Sequence, residues 1–401
     1  MALLPLDDAL ARVLKGLGPL DVERIPLGEA NGRVLADDLA ATLTQPPFDA
    51  SAMDGYAVRA SDVATLPVTL DIVGEAAAGA RFSGRVEPGQ AVRIFTGAPV
   101  PEGADTIVIQ EDADADGATV QIKDAERPGR HIRPRGQDFE QGAVLLRQGT
   151  RLDARALMLA ASMNHAELPV RRKPQIAILA TGDEVVPPGS ELGPDEIVSS
   201  APYGLAALIE AHGGEAIHLG IAADDVDSII TLAGTGAGAD ILVTIGGASV
   251  GERDLVARAL AKEGLDLDFA KVAMRPGKPV LFGRLGAQRF LGLPGNPASA
   301  LLCGYVFLLP MLRTMLGVSE AQAPQPEAVL GEALPKNGER QHYLRAISTW
   351  REDGTRVVSP VPSQDSALVA ALYRADCLIV RKPGADALPE GAQVKILPFA
   401  D

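Results

Sequence analysis

From Pro174 onward the chain alternates apolar β-like runs with helical stretches, and no other feature narrows the possible folds as far. The run QIAILATGDEV is short, apolar and bounded by Pro174 and Gly182, as a strand buried on both faces should be. A helix is expected from Pro202 to His212, with Ser200 as N-cap, Leu205, Leu208 and Ile209 on one face and Gly213 just past its end. AIHLGI, a helix through Val226, Ile229, Ile230 and Ala233, DILVTI, and a helix from about Leu255 to Glu263 continue the alternation. PVLFGRL, RFLGL and the turn LPGNP close it, followed by a long apolar helix with Asn296 as cap and Pro297 at its first position. The pattern specifies a doubly wound α/β domain. Its turns TGDE, IGGASVGE and LPGNP should follow the C-terminal ends of parallel strands, where such sheets bind ligands.

The flanks are different in kind. Residues 23 to 170 carry short β-like runs (GYAV, VTLDIVG, AVRIF, TIVIQ, TVQIK, AVLLRQG) between Gly, Pro and Asp turns, closed by a helix from Ala154 to Asn164. After about Ala323 the runs QHYLRAISTW, RVVSPV, DCLIVRK and QVKILPF predict a small C-terminal β-barrel-like domain. The fold class is therefore α/β and β multidomain. The expected units are 23–46 plus 140–170 as a linker and dimerisation domain, 47–139 as a β-rich domain carrying MDGYA, 1–22 plus 174–322 as the α/β domain, and 323–401. The opening stretch MALLPLDDALARVLKGL reads as an amphipathic helix and lacks the basic start of a secretory signal. No apolar stretch in the sequence is expected to span a membrane, the segment Leu301 to Leu309 being short and interrupted by Gly304.

Charge and residue usage exclude several chemistries. The 37 basic against 52 acidic side chains give a formal charge of −15, the wrong sign for a nucleic-acid-binding surface, so any basic site must be local. Cys303 and Cys377 lie in apolar runs, which suits buried thiols in a reducing compartment and predicts a cytoplasmic protein. The five histidines form no HxH or HExxH pair, which argues against zinc, and there is no GxSxG elbow.

Five segments carry candidate chemistry. PPFDASAMDGYAV places Asp49 and Asp54 in a turn. Asp54-Gly55 is a common hairpin dipeptide, but a loop carboxylate is also suited to Mg²⁺ beside a phosphate. TGDE joins a glycine, Gly182, that admits a ligand to the backbone with two acids. In IGGASVGERD, Gly246, Gly247 and Gly251 let amides point at an anion and Ser249 adds a hydroxyl, although neither a Walker A loop nor GxGxxG is present. KVAMRPGKP sets Lys271, Arg275 and Lys278 on a rigid turn, a good way to aim charge at a tetrahedral oxyanion. LPGNP would offer its helix's N-terminal amides to the same kind of ligand.

In this order PFDASAMDGYA, FTGAPVP, IRPRGQD, TGDE, GGASVGERD, MRPGKP and LPGNP resemble the molybdopterin molybdotransferases, the family of bacterial MoeA and the gephyrin E domain, over nearly the whole chain. The resemblance implies an elongated homodimer that takes adenylylated molybdopterin and molybdate, uses Mg²⁺ and releases AMP. It assigns catalytic roles to Asp54, Asp138, Glu184 and Asp254, with Asp54, Glu184, Asp224 and Asp254 as metal ligands. It assigns ligand contacts to Thr96, Arg133, Thr181, Gly182, Asp224, Gly246, Gly247, Ser249, Lys271, Arg275, Lys278, Pro294 and Pro297. Lys271 and Arg275 would cradle molybdate, and Asp54, Thr96, Arg133 and Asp138 would act across the dimer. Other molybdenum-cofactor biosynthesis proteins would be its partners, with no nucleic acid and no membrane. Two departures stand out: the family pattern often has Lys at the position of Arg275, and an aspartate with asparagine where this chain has Ser199, Ser200 and Ala201. The rival readings are a molybdopterin adenylyltransferase-like enzyme, typically a single domain, and a non-catalytic scaffold on the same dimer.

Overall fold

The computed structural model describes residues 3–124, 127–247, 255–318 and 321–399. At its centre is a six-stranded sheet in the order Glu215–Ala222, Gln175–Thr181, Ile241–Ile245, Gln288–Leu293, Leu281–Leu285, Leu265–Phe269. The first four strands are mutually parallel, and Leu281–Leu285 is antiparallel to both its neighbours. Alternate residues of one strand serve opposite faces. Ile176 and Ile178 join a core with the helices Leu6–Leu14, Ala201–Ala211 and Pro297–Met315, while Ala177 and Leu179 join one under Val226–Thr235 and Leu255–Lys262. The expected α/β domain is present, and the amphipathic opening helix packs into it.

Three local expectations need correction. Ser200 and Asn296 stand at helix starts as expected, but neither side chain caps its helix; Asp225 and Asp153 do so elsewhere, each accepting an amide hydrogen bond at 2.8 Å. The apolar segment around Leu301 is part of a helix of 19 residues, Pro297–Met315, long and apolar enough to cross a bilayer yet 78% buried within the fold, so it is a core helix. Its middle, Gly304–Leu308, is π-helical and ends two residues before Pro310. A proline inside a helix clashes with the carbonyl four residues back, and the wider turn relieves that crowding.

In the N-terminal half, Val22–Pro26 pairs with Glu167–Arg171, and Leu39–Ala40 with Val144–Leu146, over a core of Leu35, Leu152, Met163 and Leu168. Inserted between them is a six-stranded sheet that contains Gly55–Val58, with Tyr56 and Val58 facing one core and Ala57 the other. In the C-terminal part, Gln341–Trp350, Arg356–Pro360, Glu327–Leu330, Gln393–Pro398 and Cys377–Arg381 pair in sequence, and the last pairs back with the first, closing a small barrel. The two-residue strand Met274–Arg275, from the α/β part, adds to its edge. The short helix Val369–Arg374 was not legible in the β-like pattern of this region; it leans on Pro297–Cys303.

Candidate active site

Thr181, Ile245 and Leu293 end three adjacent parallel strands, so their turns are neighbours. They meet closely. Gly246 has φ +94°, and a Cβ there would stand 2.7 Å from the Thr181 carbonyl, so only glycine fits. Gly295 of LPGNP approaches the Gly246 Cα on the other side, and Pro294 is buried between strand and turn. The Thr181 hydroxyl is buried here with no hydrogen-bond partner among the described residues. Gly182 and Gly246 donate their amides to Ala222 and Leu293 at 3.2 Å, so their role is close packing of the strand ends and not donation to an anion. Gly247 follows with φ +64°, and Ser249 and Asp254 lie outside the described residues.

Carboxylates ring the outer side of this crevice. The Glu184 carboxylate folds back over Gly182, and Asp183 accepts the Asp224 amide at 2.9 Å. The Asp224 carboxyl is pushed above its ordinary range, first by partial loss of water and then by Asp183 and Glu184. Such crowding of like charge is what a divalent cation relieves. Among the described residues no group of three His, Cys, Asp or Glu is placed to hold a metal ion. Asp183 was not singled out by its sequence, because one acid of TGDE looks like the other. Beside it a cavity of about 670 Å³ is lined by Ser199, Pro202, Tyr203 and His218, the two rings 5.6 Å apart.

The basic turn lies at the same end of the sheet: its far strand, Leu265–Phe269, is four strands from Gln175–Thr181, roughly 19 Å at ~4.8 Å per strand, while its near strand, Leu281–Leu285, adjoins Gln288–Leu293, which ends in LPGNP. Lys271 and Lys278 are drawn together by the Val272 amide donating to the Lys278 carbonyl at 3.0 Å. Arg275 pairs with His342, which pairs in turn with Arg381 on its other side. Burial, then Arg275, Arg340 and Arg381, depress the His342 pKa to about 4, so the imidazole is neutral among cations. Among the described residues none of Lys271, Arg275 and Lys278 has a carboxylate partner within ion-pair distance. These bases continue along the same rim from the LPGNP side of the crevice, with Gly277 against Cys303 of the helix that LPGNP opens.

The helix start at Pro297 departs from expectation. The Ala298 amide donates to the Ser366 carbonyl at 3.2 Å and the Asn296 side chain donates to the Ser366 hydroxyl at 2.8 Å. LPGNP thus anchors the C-terminal barrel, and part of the helix end once assigned to an anion is already taken.

A third cluster sits in the N-terminal half. Ala50–Ser51 pairs with Ile132–Arg133, Ser51 exchanges backbone hydrogen bonds with Gly97 and Ala98, and Gln45 bonds Asp138 and Phe139. These ties weave the three motif segments together. Arg133, Asp138 and Gly97 line one hollow of about 490 Å³. At its border Asp54 accepts from the Thr96 amide and hydroxyl, both at 2.7 Å; these bonds and the nearby Arg93 hold its carboxyl below the usual range.

Family models cover nearly all of this architecture: the MoeA N-terminal region (domain I and II) matches residues 4–164, a probable molybdopterin binding domain 177–314, and the MoeA C-terminal region (domain IV) 327–399. The molybdopterin molybdenumtransferase of Haemophilus influenzae is 35% identical over 402 residues, 99% of each chain. The chain belongs to the molybdopterin molybdenumtransferase family. Another relative of that name, from Nostoc, is 39% identical over 81% of this chain and 76% of its own. A molybdopterin biosynthesis moeA protein from Pyrococcus horikosii, solved by crystallography, superposes with a TM-score of 0.84 at 30% identity over the whole of both chains. In this molybdenumtransferase-family chain all three clusters fall within segments covered by the family models, and the bases at 271–278 join two of them physically, as part of the α/β unit and an edge strand of the barrel.

Proposed function

We propose that the chain transfers molybdenum from molybdate into adenylylated molybdopterin and releases AMP, acting in the cytoplasm as a homodimer with Mg²⁺. The observation that carries this reading is the single sheet rim holding carboxylates crowded around a glycine crevice and, farther along, cations without carboxylate partners among the described residues. A ligand with phosphates at one end and a tetrahedral dianion to receive at the other matches that division of charge. Lys271 and Arg275 bind the molybdate oxygens, with Lys278 beside them; the planar Arg275 fork offers two parallel donors where a lysine would offer a point charge. Glu184 and Asp224, with Asp54 and Asp254, are the residues that would hold Mg²⁺. When bound, Mg²⁺ neutralises phosphate charge as the phosphoanhydride opens. Thr181 offers its unpartnered hydroxyl to the ligand at the crevice floor.

Within one chain Asp54, Thr96, Arg133 and Asp138 share no described hydrogen bond or cavity wall with the rim residues, which favours their supply by the second subunit. Co-expression of an Asp54→Ala chain with a Glu184→Ala chain should restore part of the activity lost by either variant alone, since some mixed dimers carry one intact site. Molybdenum insertion and AMP release should rise together in that assay. Absence of any recovery would place both residues in a within-chain site, and ATP consumption in place of AMP release would point to the adenylyltransferase reading.

A further inference from the structure

We propose a second ligand site, at the edge of the central sheet opposite the crevice, that binds a small organic anion through Arg284 and Arg289. It does not depend on the function proposed above. The hairpin formed by Leu281–Leu285 and Gln288–Leu293 sets Arg284 directly across from Arg289. Like charges in that position destabilise a sheet, and here one of them is also out of water: Arg289 is only 5% exposed. Its one described side-chain hydrogen bond goes to the Lys15 carbonyl at 2.9 Å, a neutral acceptor. Arg284 remains exposed. The Nη2 atoms of both guanidinium groups flank the turn at Gly16, each within 4 Å of where a Cβ on that glycine would stand.

Asp266 stands across from Arg284 on its other side, yet among the described residues neither it nor any other acid forms an ion pair with Arg284 or Arg289. Asp240, on the same cavity wall, is spoken for: Arg172 donates to its two oxygens at 2.8 and 2.7 Å and the Gln175 amide to one of them. Glu263, also on the wall, forms no described ion pair with either arginine. Burial and the neighbouring Arg284 both disfavour the charged form of Arg289, and no acid offsets them. A buried cation facing a second cation is costly unless an anion joins them, and two guanidinium groups make a fork suited to a carboxylate or phosphate.

The space in front of them selects for more than an inorganic ion. The cavity holds about 630 Å³, within the usual range for small-molecule sites, and Leu17, Leu20, Ile230, Leu260, Leu285 and Met315 supply apolar wall. The ligand class is therefore an anionic head on a compact apolar body.

Calorimetric titration with phenyl phosphate, inorganic phosphate and benzoate tests this on the full chain. Phenyl phosphate should occupy a site that persists in a Lys271→Ala, Arg275→Ala variant and weakens at least tenfold in Arg284→Gln; inorganic phosphate should bind that site more weakly, and benzoate ranks a carboxylate head against a phosphate. Arg284→Glu supplies a counter-charge to Arg289, so the melting temperature should rise as binding disappears; this variant guards against loss of binding by misfolding. Binding that survives both Arg284 variants, or that vanishes in the Lys271→Ala, Arg275→Ala variant, would overturn the proposal, as would failure of phenyl phosphate to bind the native chain.

Discussion

The two flanking regions are attached to the central sheet in opposite ways. Residues 23 to 170 bury their apolar side chains among themselves: none of their three cores contains a residue of the α/β unit. The barrel also has a core of its own, with Leu330, Val358 and Ile379, but its Tyr343, Leu372, Leu378 and Leu397 belong to the same core as Ile176, Phe307 and Leu6. It is tied further by Ser366 at the LPGNP turn and by the added strand Met274–Arg275. A unit with its own cores can be carried on a connection and presented to another molecule, whereas one that shares a core is held in place. The contrast matches the clusters each unit brings: Asp54 and Arg133 stand alone, while the cations at 271–278 are fixed against the barrel.

The largest test of this contrast is a pair of core truncations. Leu378→Ala should cost ~2–5 kcal/mol and lower the transition that melts sheet and barrel together. Leu70→Ala, of the same kind in the N-terminal sheet, should lower a separate transition and leave the main one in place. Calorimetry in which both variants displace one common peak by the same amount would erase the distinction.

A smaller effect is expected from acid. His342, at the junction of barrel and basic turn, has a folded pKa of about 4 against 6.5 as its ordinary value. The unfolded chain therefore binds a proton that the folded one refuses, and stability falls as pH drops from about 6.5 towards 4. The contribution at pH 4.5 is on the order of 1–2 kcal/mol after allowance for solvent at this partly exposed group. Urea midpoints of the native chain and His342→Gln should converge with acidification, because the variant lacks that titration; parallel curves would exclude His342 as the cause.

The smallest effect concerns the LPGNP anchor. Removing the Asn296 bond to Ser366 by Asn296→Ala should lower stability by about 1 kcal/mol. Hydrogen exchange should quicken around residues 363–368 and stay unchanged in the N-terminal half; uniform change would mean that the anchor is not local.

Much of this was legible in the residues because it is written in local periodicity. The strands at 175, 215, 241 and 288 announce themselves as apolar runs between Gly and Pro, and the neighbouring turns follow from their being parallel. Pairings across long separations were not. Ser366 occupying the helix start at Pro297 depends on a contact 70 residues away, and the same Asn-Pro signal would be written for a free helix end. Arg275 was read as a turn cation, yet its neighbours are set by a strand pairing with His342 that no pattern around either residue reveals. Nothing local marks Arg284 and Arg289, because burial of Arg289 is decided by the N-terminal segment at Lys15 and Gly16. Ser249, expected as a ligand contact, and Asp254, expected as a catalytic residue and metal ligand, lie outside the described residues.

Leu4 is stitched between Lys271 and Ala273 by two backbone hydrogen bonds, of 3.1 and 2.7 Å, and the helix that follows lays Leu6, Leu10 and Val13 on a core completed by Met315. On the ribosome this early helix emerges about 300 residues before its seat exists, which at 5–20 residues per second is roughly 15–60 s of waiting with a greasy stripe uncovered. The intervening N-terminal half, having its own cores, can fold meanwhile. Capture of this helix then waits on the α/β unit, and the basic turn gains its ladder to Leu4 only when that happens.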